Sequence, residues 1–143
     1  MEFKTEAQKA CYERVAPMVR ELFGEMAVLH PDRAGFGLRY GAAYVDVIVT
    51  PWRDNYAVLH ARAVVVTGVE VTPDLMQFLL EENTRFYFGA FGLLQNDIVL
   101  DYGIVGDTCD KEELRALMLT VVATAGDYDE TIIARFGGKR PGD

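Results

Sequence analysis

Strict alternation of apolar side chains in two neighbouring segments, Ala43–Thr50 and Tyr56–Val66, constrains the fold more than any other feature of the chain. The apolar faces consist of Val45, Val47 and Val49 in the first segment and Ala57, Leu59, Ala61, Ala63 and Val65 in the second. A period of two residues with one wholly apolar face is typical of β-strands that pack on one side against helices. Because only Pro51–Asn55 separates them, the two strands are expected to be antiparallel neighbours.

Further strands are expected before and after this pair in the sequence. Phe36–Tyr40 is predicted as a short strand, and Met26–Leu29 as a short extended piece. Phe86–Leu94 and Asp97–Val105 are predicted as a hairpin that turns at Gln95-Asn96. The residues that share one face of the second hairpin strand are Ile98, Leu100, Tyr102 and Ile104. We therefore expect Ile98 and Leu100 to join the face that packs on the helices.

Apolar residues at spacings of three and four predict a first helix over Thr5–Gly24. Thr5 is a suitable cap, and Pro17 lies inside the pattern, where a kink or a break is expected. A second helix begins at Thr72-Pro73 and ends near Asn83. This helix has more apolar positions than a single stripe needs, which indicates burial on two sides.

The last helix is predicted over Asp110–Phe136, where Asp110 and Glu113 resemble a capping box. A continuous helix of this length would measure ~40 Å, so it must either span the domain or bend at Gly126. The acidic residues Asp127, Asp129 and Glu130 are interpreted as a solvated helix face. The segment Lys139–Asp143 is expected to be frayed.

The predicted order is helix, three strands, helix, two strands, helix. This order indicates a two-layer α+β fold, with an antiparallel sheet packed on helices, and it excludes a doubly wound fold. Residues 1–143 are expected to form a single domain, because the chain contains no repeat, linker or low-complexity stretch.

Charge excludes several function classes. The chain carries 14 Lys and Arg against 22 Asp and Glu, so its formal net charge is −8. Such a chain is not expected to bind nucleic acid or anionic membranes, since both need a basic surface. No apolar run approaches the ~18 residues that a membrane helix needs, and no signal peptide is expected. A cytoplasmic protein is therefore expected, with Cys11 and Cys109 as free thiols.

Residues suited to catalysis are scarce. The chain contains no serine, and its only histidines, His30 and His60, lack partners at metal-ligand spacing. Asp107 and Asp110 flank Cys109, which argues against a reactive thiolate. We therefore expect no enzymatic activity, no cofactor and no metal site.

An aromatic segment, Phe86–Leu93, stands out instead. Phe86, Phe88 and Ala90 alternate with Tyr87, Gly89 and Phe91, so one set faces the helices and the other lies on the opposite face. The second set either forms an aromatic platform for a peptide or is covered by a second subunit. The two interpretations overlap.

Several short motifs in the C-terminal half resemble the YbjN-like family, which is similar in fold to type III secretion chaperones of the CesT kind. The motifs are Phe88–Leu93, Gly106-Asp107-Thr108, Asp110 with Glu112-Glu113-Leu114, Ala125 with Tyr128-Asp129, and Ala134–Gly138. Tyr87 departs from the family pattern, since relatives often carry proline there. The resemblance implies a non-enzymatic, dimeric chaperone that binds peptides, or a regulator of sensory transduction.

The resulting hypothesis is a homodimeric, chaperone-like module that binds a protein client or an extended peptide. The site is expected on the sheet face away from the helices, where aromatic residues mix with single charges. The candidate binding residues are Tyr44, Ile48, Tyr56, Arg62, Val64, Phe88 and Phe91. The alternatives are a small-molecule binder with a pocket between sheet and helices, and a structural interaction subunit.

Overall fold

Six antiparallel strands and three helices make up the computed structural model, which describes residues 1–143. The helices are α1 (Glu6–Phe23), α2 (Pro73–Asn83) and α3 (Lys111–Phe136), and the strands are β1 (Ala27–Leu29), β2 (Gly35–Tyr40), β3 (Ala43–Trp52), β4 (Tyr56–Val66), β5 (Ala90–Leu94) and β6 (Asp97–Val105). The sheet order is β1-β2-β3-β4-β6-β5, so β6 rather than β5 pairs with β4. This α+β architecture confirms the predicted fold class.

The core lies between the sheet and the helices α1 and α3, which contact each other and both central strands. The sheet residues expected on the helix-packed face are all buried: Val45, Val47, Val49, Leu59, Ala61, Ala63, Ile98 and Leu100. From the helices, Val15, Val19, Leu117 and Val121 meet them in the same cluster. Helix α2 lies at the other end of the sheet, against β5.

The helix caps follow the sequence closely. The Thr5 hydroxyl accepts from the Gln8 amide at 3.0 Å, and the Thr72 hydroxyl accepts from the Leu75 amide at 3.2 Å. At α3 the capping box is complete, with Asp110 accepting from the Glu113 amide at 2.7 Å. Each helix thus begins where a side chain satisfies a free backbone amide.

Two long helices run through residues that weaken helices. The break considered at Pro17 does not occur, because α1 is continuous from Glu6 to Phe23. Its neighbours Val15, Ala16 and Val19 are buried, and this packing outweighs the lost hydrogen bond. Helix α3 is likewise continuous through Gly126 and therefore spans the sheet.

The predicted strand Phe86–Leu94 is too long at its start. Strand β5 begins only at Ala90, and the preceding residues form a loop. Gly89 adopts a φ of 81°, and a Cβ there would lie 2.9 Å from the Asp101 carbonyl oxygen. Only glycine fits this turn, which interrupts the alternation before β5 and lets Phe86 pack against Phe91 and Tyr128.

The short piece near Met26 is a true strand, β1, so four strands rather than three precede α2.

Candidate functional site

The sheet face away from α1 and α3, here called the open face, is organised in rows that cross the strands. The strand register aligns Gly37, Asp46, Arg62 and Asp101 in a central charged row. One flanking row contains Gly35, Ile48, His60 and Gly103, and the other contains Val64, Val99 and Gly92. Apolar side chains therefore lie on both sides of a line of charges.

Ion pairs hold the charged row in a fixed geometry. Arg62 donates from Nε and Nη2 to the two carboxylate oxygens of Asp101, at 2.7 and 2.9 Å. These hydrogen bonds raise the pKa of Arg62. Asp46 accepts a hydrogen bond from His30 Nε2 at 2.6 Å, and His60 Nε2 lies 3.8 Å from Asp101. A forked arginine–carboxylate pair fixes both side chains, so the row can set the register of a bound chain.

The aromatic residues of the open face are partly exposed. The Tyr44 ring lies across Gly37 on β2, and the Arg39 guanidinium sits 5.4 Å from its centroid. Burial, followed by the charge of Asp46, raises the pKa of the Tyr44 phenol. At the far end of the face, Tyr56 pairs with Trp52 at a centroid distance of 5.7 Å and is 47% exposed. These rings can contact a bound peptide with their exposed apolar area while they stay packed against their neighbours in the sheet.

The structure gathers five of the seven candidate binding residues on the open face: Tyr44, Ile48, Tyr56, Arg62 and Val64. The other two lie on the helix side of the sheet. Phe91 is opposite Leu100, is only 8% exposed, and packs 5.1 Å from Tyr128. Phe88 stacks on Tyr102 at 5.5 Å. The expected placement of Phe91 on the open face is wrong, because the pairing of β5 with β6 turns Phe91 toward the helices.

Sequence reasoning missed a split in the sheet. Pairing between β3 and β4 ends at Asp46 and Arg62, although β3 starts at Ala43 and β4 continues to Val66. The segment Lys139–Asp143 enters this gap, where Lys139 and Thr67 exchange backbone hydrogen bonds at 2.8 and 3.0 Å. The expected fraying is therefore wrong for the start of this segment.

Ion pairs with α3 hold the segment in place. Arg140 donates to Asp129 at 2.9 Å and to Glu130 at 2.8 Å. The Asp129 side chain is only 14% exposed, so it is not part of a simple solvated helix face. The sequence signal for this contact was one basic residue after Gly137-Gly138, Arg140, and two acidic residues before it, Asp129 and Glu130.

A second exposed apolar surface lies on α2 and the neighbouring edge strand. Leu75 and Leu79 of α2 are buried, but Leu80 is 67% exposed. The other exposed residues of this surface are Met76, Tyr87, Leu93 and Leu94. We call this set, with Leu80, the α2–β5 surface.

The remaining chemistry-bearing groups are packed. Cys11 and Cys109 are buried, and burial, followed by the charge of Glu113, raises the pKa of Cys109 to about 12. Arg14 donates to the Gly106 and Cys109 carbonyls above them, the latter at 2.6 Å. No three of the His, Cys, Asp and Glu side chains are grouped closely enough to hold a metal ion. None of the helices has the length and apolar character needed to cross a membrane.

Comparison with protein families identifies the family of the chain. The family model TY-Chap1, described as "T3SS (YopN, CesT) and YbjN peptide-binding chaperone 1", matches residues 10–143, almost the whole chain. No curated protein matches significantly.

Proposed function

Because the chain belongs to the TY-Chap1 family of peptide-binding chaperones, we propose that it binds an extended segment of a protein client on its open face, without catalysis. Residues 1–143 act as one binding domain in this proposal. Its setting is the cytoplasm, which fits the two free thiols.

The observation that carries the proposal is the row pattern of the open face. Rows that contain the apolar residues Ile48 and Val64 flank a charged row fixed by the Arg62–Asp101 pair. An extended peptide presents side chains at the same alternating spacing, so it can place apolar groups on the outer rows and polar groups on the middle one. Burial of ~300 Å² of apolar surface would give about 7 kcal/mol before the costs of association, which implies weak to moderate affinity.

We also propose that the chain forms a homodimer through the α2–β5 surface. Exposed Leu80 and Met76 lie on α2, next to the face that is packed through Leu75 and Leu79. Large apolar side chains exposed on one helix and the neighbouring edge strand are typical of an interface between subunits.

The test is recovery of clients with two open-face variants. The wild-type protein is used to capture partners from a lysate of the source cells, and overlapping peptides of each captured protein are then measured for binding. Ile48→Asp and Tyr56→Asp are expected to weaken binding of the same peptides by at least about tenfold, since each places a desolvated charge under the client.

Tyr40→Asp is the matched control. Tyr40 is 55% exposed at the end of another hairpin, but the register turns it toward the helix side. The control should bind peptides like the wild type. If folded Ile48→Asp and Tyr56→Asp variants retain full affinity, the open face is not the binding site.

A further inference from the structure

The split between β3 and β4 opens into a cleft of about 480 Å³, a size within the usual range of ligand sites. Four of the ten arginines of the chain line it: Arg33, Arg39, Arg62 and Arg140. Only two carboxylates, Asp46 and Asp129, share the lining. In a chain with a formal net charge of −8, this concentration of guanidinium groups is a local reversal of charge.

Two of the four arginines have unused hydrogen-bonding capacity. Arg62 and Arg140 are paired with Asp101, Asp129 and Glu130, as described above. Arg33 lies 3.7 Å from Asp32 and 3.8 Å from Asp46, but it donates no side-chain hydrogen bond. Arg39 has no carboxylate within 4.0 Å, and its guanidinium lies 5.4 Å from the centroid of the Tyr44 ring. Guanidinium groups in this state suit a ligand that brings its own carboxylates.

The backbone edges of β3 and β4 that face each other across the cleft are also unpaired. Beyond the Asp46–Arg62 pair, β3 and β4 form no backbone hydrogen bonds with each other, and each bonds only its outer neighbour. The 139–143 segment adds a backbone pairing at the far end of the split, the Thr67–Lys139 bridge. An extended chain can therefore find backbone donors and acceptors on the cleft walls, as in strand addition.

The two sides of the cleft differ in chemistry. On the open-face side the strand register places Arg39, Tyr44 and Arg62. On the helix side lie Ala43, Val65 and Ala125, which are small and apolar. Because alternate residues of a strand point to opposite sides, a ligand in this cleft would meet arginines at every second residue.

We propose that the cleft binds a peptide segment in which acidic side chains alternate with small apolar ones. The carboxylates are bound by Arg33 and Arg39, and the apolar side chains face Ala43, Val65 and Ala125. This inference rests on the proposed function and specifies the client: it is acidic at alternate positions. The open-face site described above would then take the continuation of the same extended chain.

The test uses fluorescence anisotropy with labelled peptides of alternating glutamate and valine, with both ends blocked. The comparison peptides carry glutamine or lysine in place of glutamate. The double variant Arg33→Gln/Arg39→Gln is expected to bind the glutamate peptide at least about tenfold more weakly, as the loss of charge-assisted hydrogen bonds requires. The wild type should prefer glutamate over glutamine by a similar factor and should bind the lysine peptide weakest.

The control is Arg20→Gln/Arg53→Gln, which removes the same charge from exposed positions outside the cleft. It should bind the glutamate peptide like the wild type. If both double variants lost the same affinity for the glutamate peptide, the effect would come from net charge alone, and the proposed site would be wrong. A glutamine peptide with a free carboxyl end that binds as tightly as the glutamate peptide would overturn recognition of side-chain carboxylates.

The outcome separates this inference from the proposed function. If clients still depend on Ile48 and Tyr56 while the glutamate peptide does not bind, or binds independently of Arg33 and Arg39, the cleft inference fails alone. If the glutamate peptide depends on the two arginines while the open-face variants change nothing, the open-face proposal fails and the cleft remains the site.

Discussion

At the scale of single residues, Gly106 and Gly126 show how differently two glycines in one fold are constrained. A Cβ on Gly106 would lie 2.6 Å from Cys11 Sγ and 3.1 Å from the Ala57 carbonyl oxygen. A Cβ on Gly126, in the middle of α3, would meet nothing closer than 4.0 Å. The first site is closed by packing, and the second is an ordinary helix position.

Gly106→Ala is therefore expected to lower the free energy of unfolding by about 1–3 kcal/mol through overpacking. Gly126→Ala is expected to raise it by about 0.5–1 kcal/mol, because alanine favours the helix. Urea unfolding of both variants measures the two effects side by side. A destabilised Gly126→Ala variant would mean that α3 needs flexibility at this point.

Both thiols are expected to resist modification in the folded protein. Cys11 and Cys109 are buried, and burial is the largest cause of the raised pKa of each. A disulfide reagent at neutral pH should label neither thiol in the native state and both in urea. Rapid labelling of the native protein would show that the segment around Cys109 opens.

The raised pKa of Cys109 also sets the sign of a pH effect. Its usual value is 9.0 and its folded value is about 12, so between these pH values the unfolded state loses the proton first. Stability is therefore expected to fall as pH rises through this window. Cys109→Ala should reduce the slope of unfolding free energy against pH, and an unchanged slope would contradict the assignment.

At the scale of elements, the sequence predicted what local patterns control. Alternation placed β3, β4 and β6 and their buried faces, because one side of each strand meets only helices. Caps located the starts of α1, α2 and α3, because the side chains that satisfy free amides are local in sequence.

Features set by distant contacts were not predictable in the same way. The start of β5 depends on Gly89 approaching the Asp101 carbonyl oxygen, and continuity of α1 at Pro17 depends on burial beneath α3 and the sheet. The split cleft brings Arg39, Arg62 and Arg140 together from three separate parts of the chain. No periodicity within one segment encodes such a meeting.

Helix α2 provides the test of the proposed dimer. Leu80→Glu is expected to convert a dimer to a monomer without unfolding, because it puts a charge into the proposed interface while leaving Leu75 and Leu79 packed. Light scattering at micromolar concentration measures the mass of both proteins. Gln77→Glu, an exposed change on the same helix, is the control. A monomeric wild type would remove the dimer proposal.

At the scale of the whole molecule, the 139–143 segment links α3 to the central sheet. A variant that ends at Gly138 removes Arg140 from Asp129 and removes the backbone partner of Thr67. The Thr67 amide is expected to exchange hydrogen faster, and the melting temperature is expected to fall by a few degrees, as for a loss of about 1 kcal/mol. Unchanged protection at Thr67 would show that the bridge does not form in solution.

The position of α3 also has a consequence for how the chain is made. This helix contacts β2, β3, β4 and β6, yet it begins only at Lys111. During synthesis, the apolar side of β3 and β4 leaves the ribosome more than forty residues ahead of α3. At about 5–20 residues per second, this interval lasts a few seconds, during which only α1 is available to cover this apolar face. A protein proposed to bind the extended segments of other proteins therefore has exposed strands of its own until α3 is synthesised.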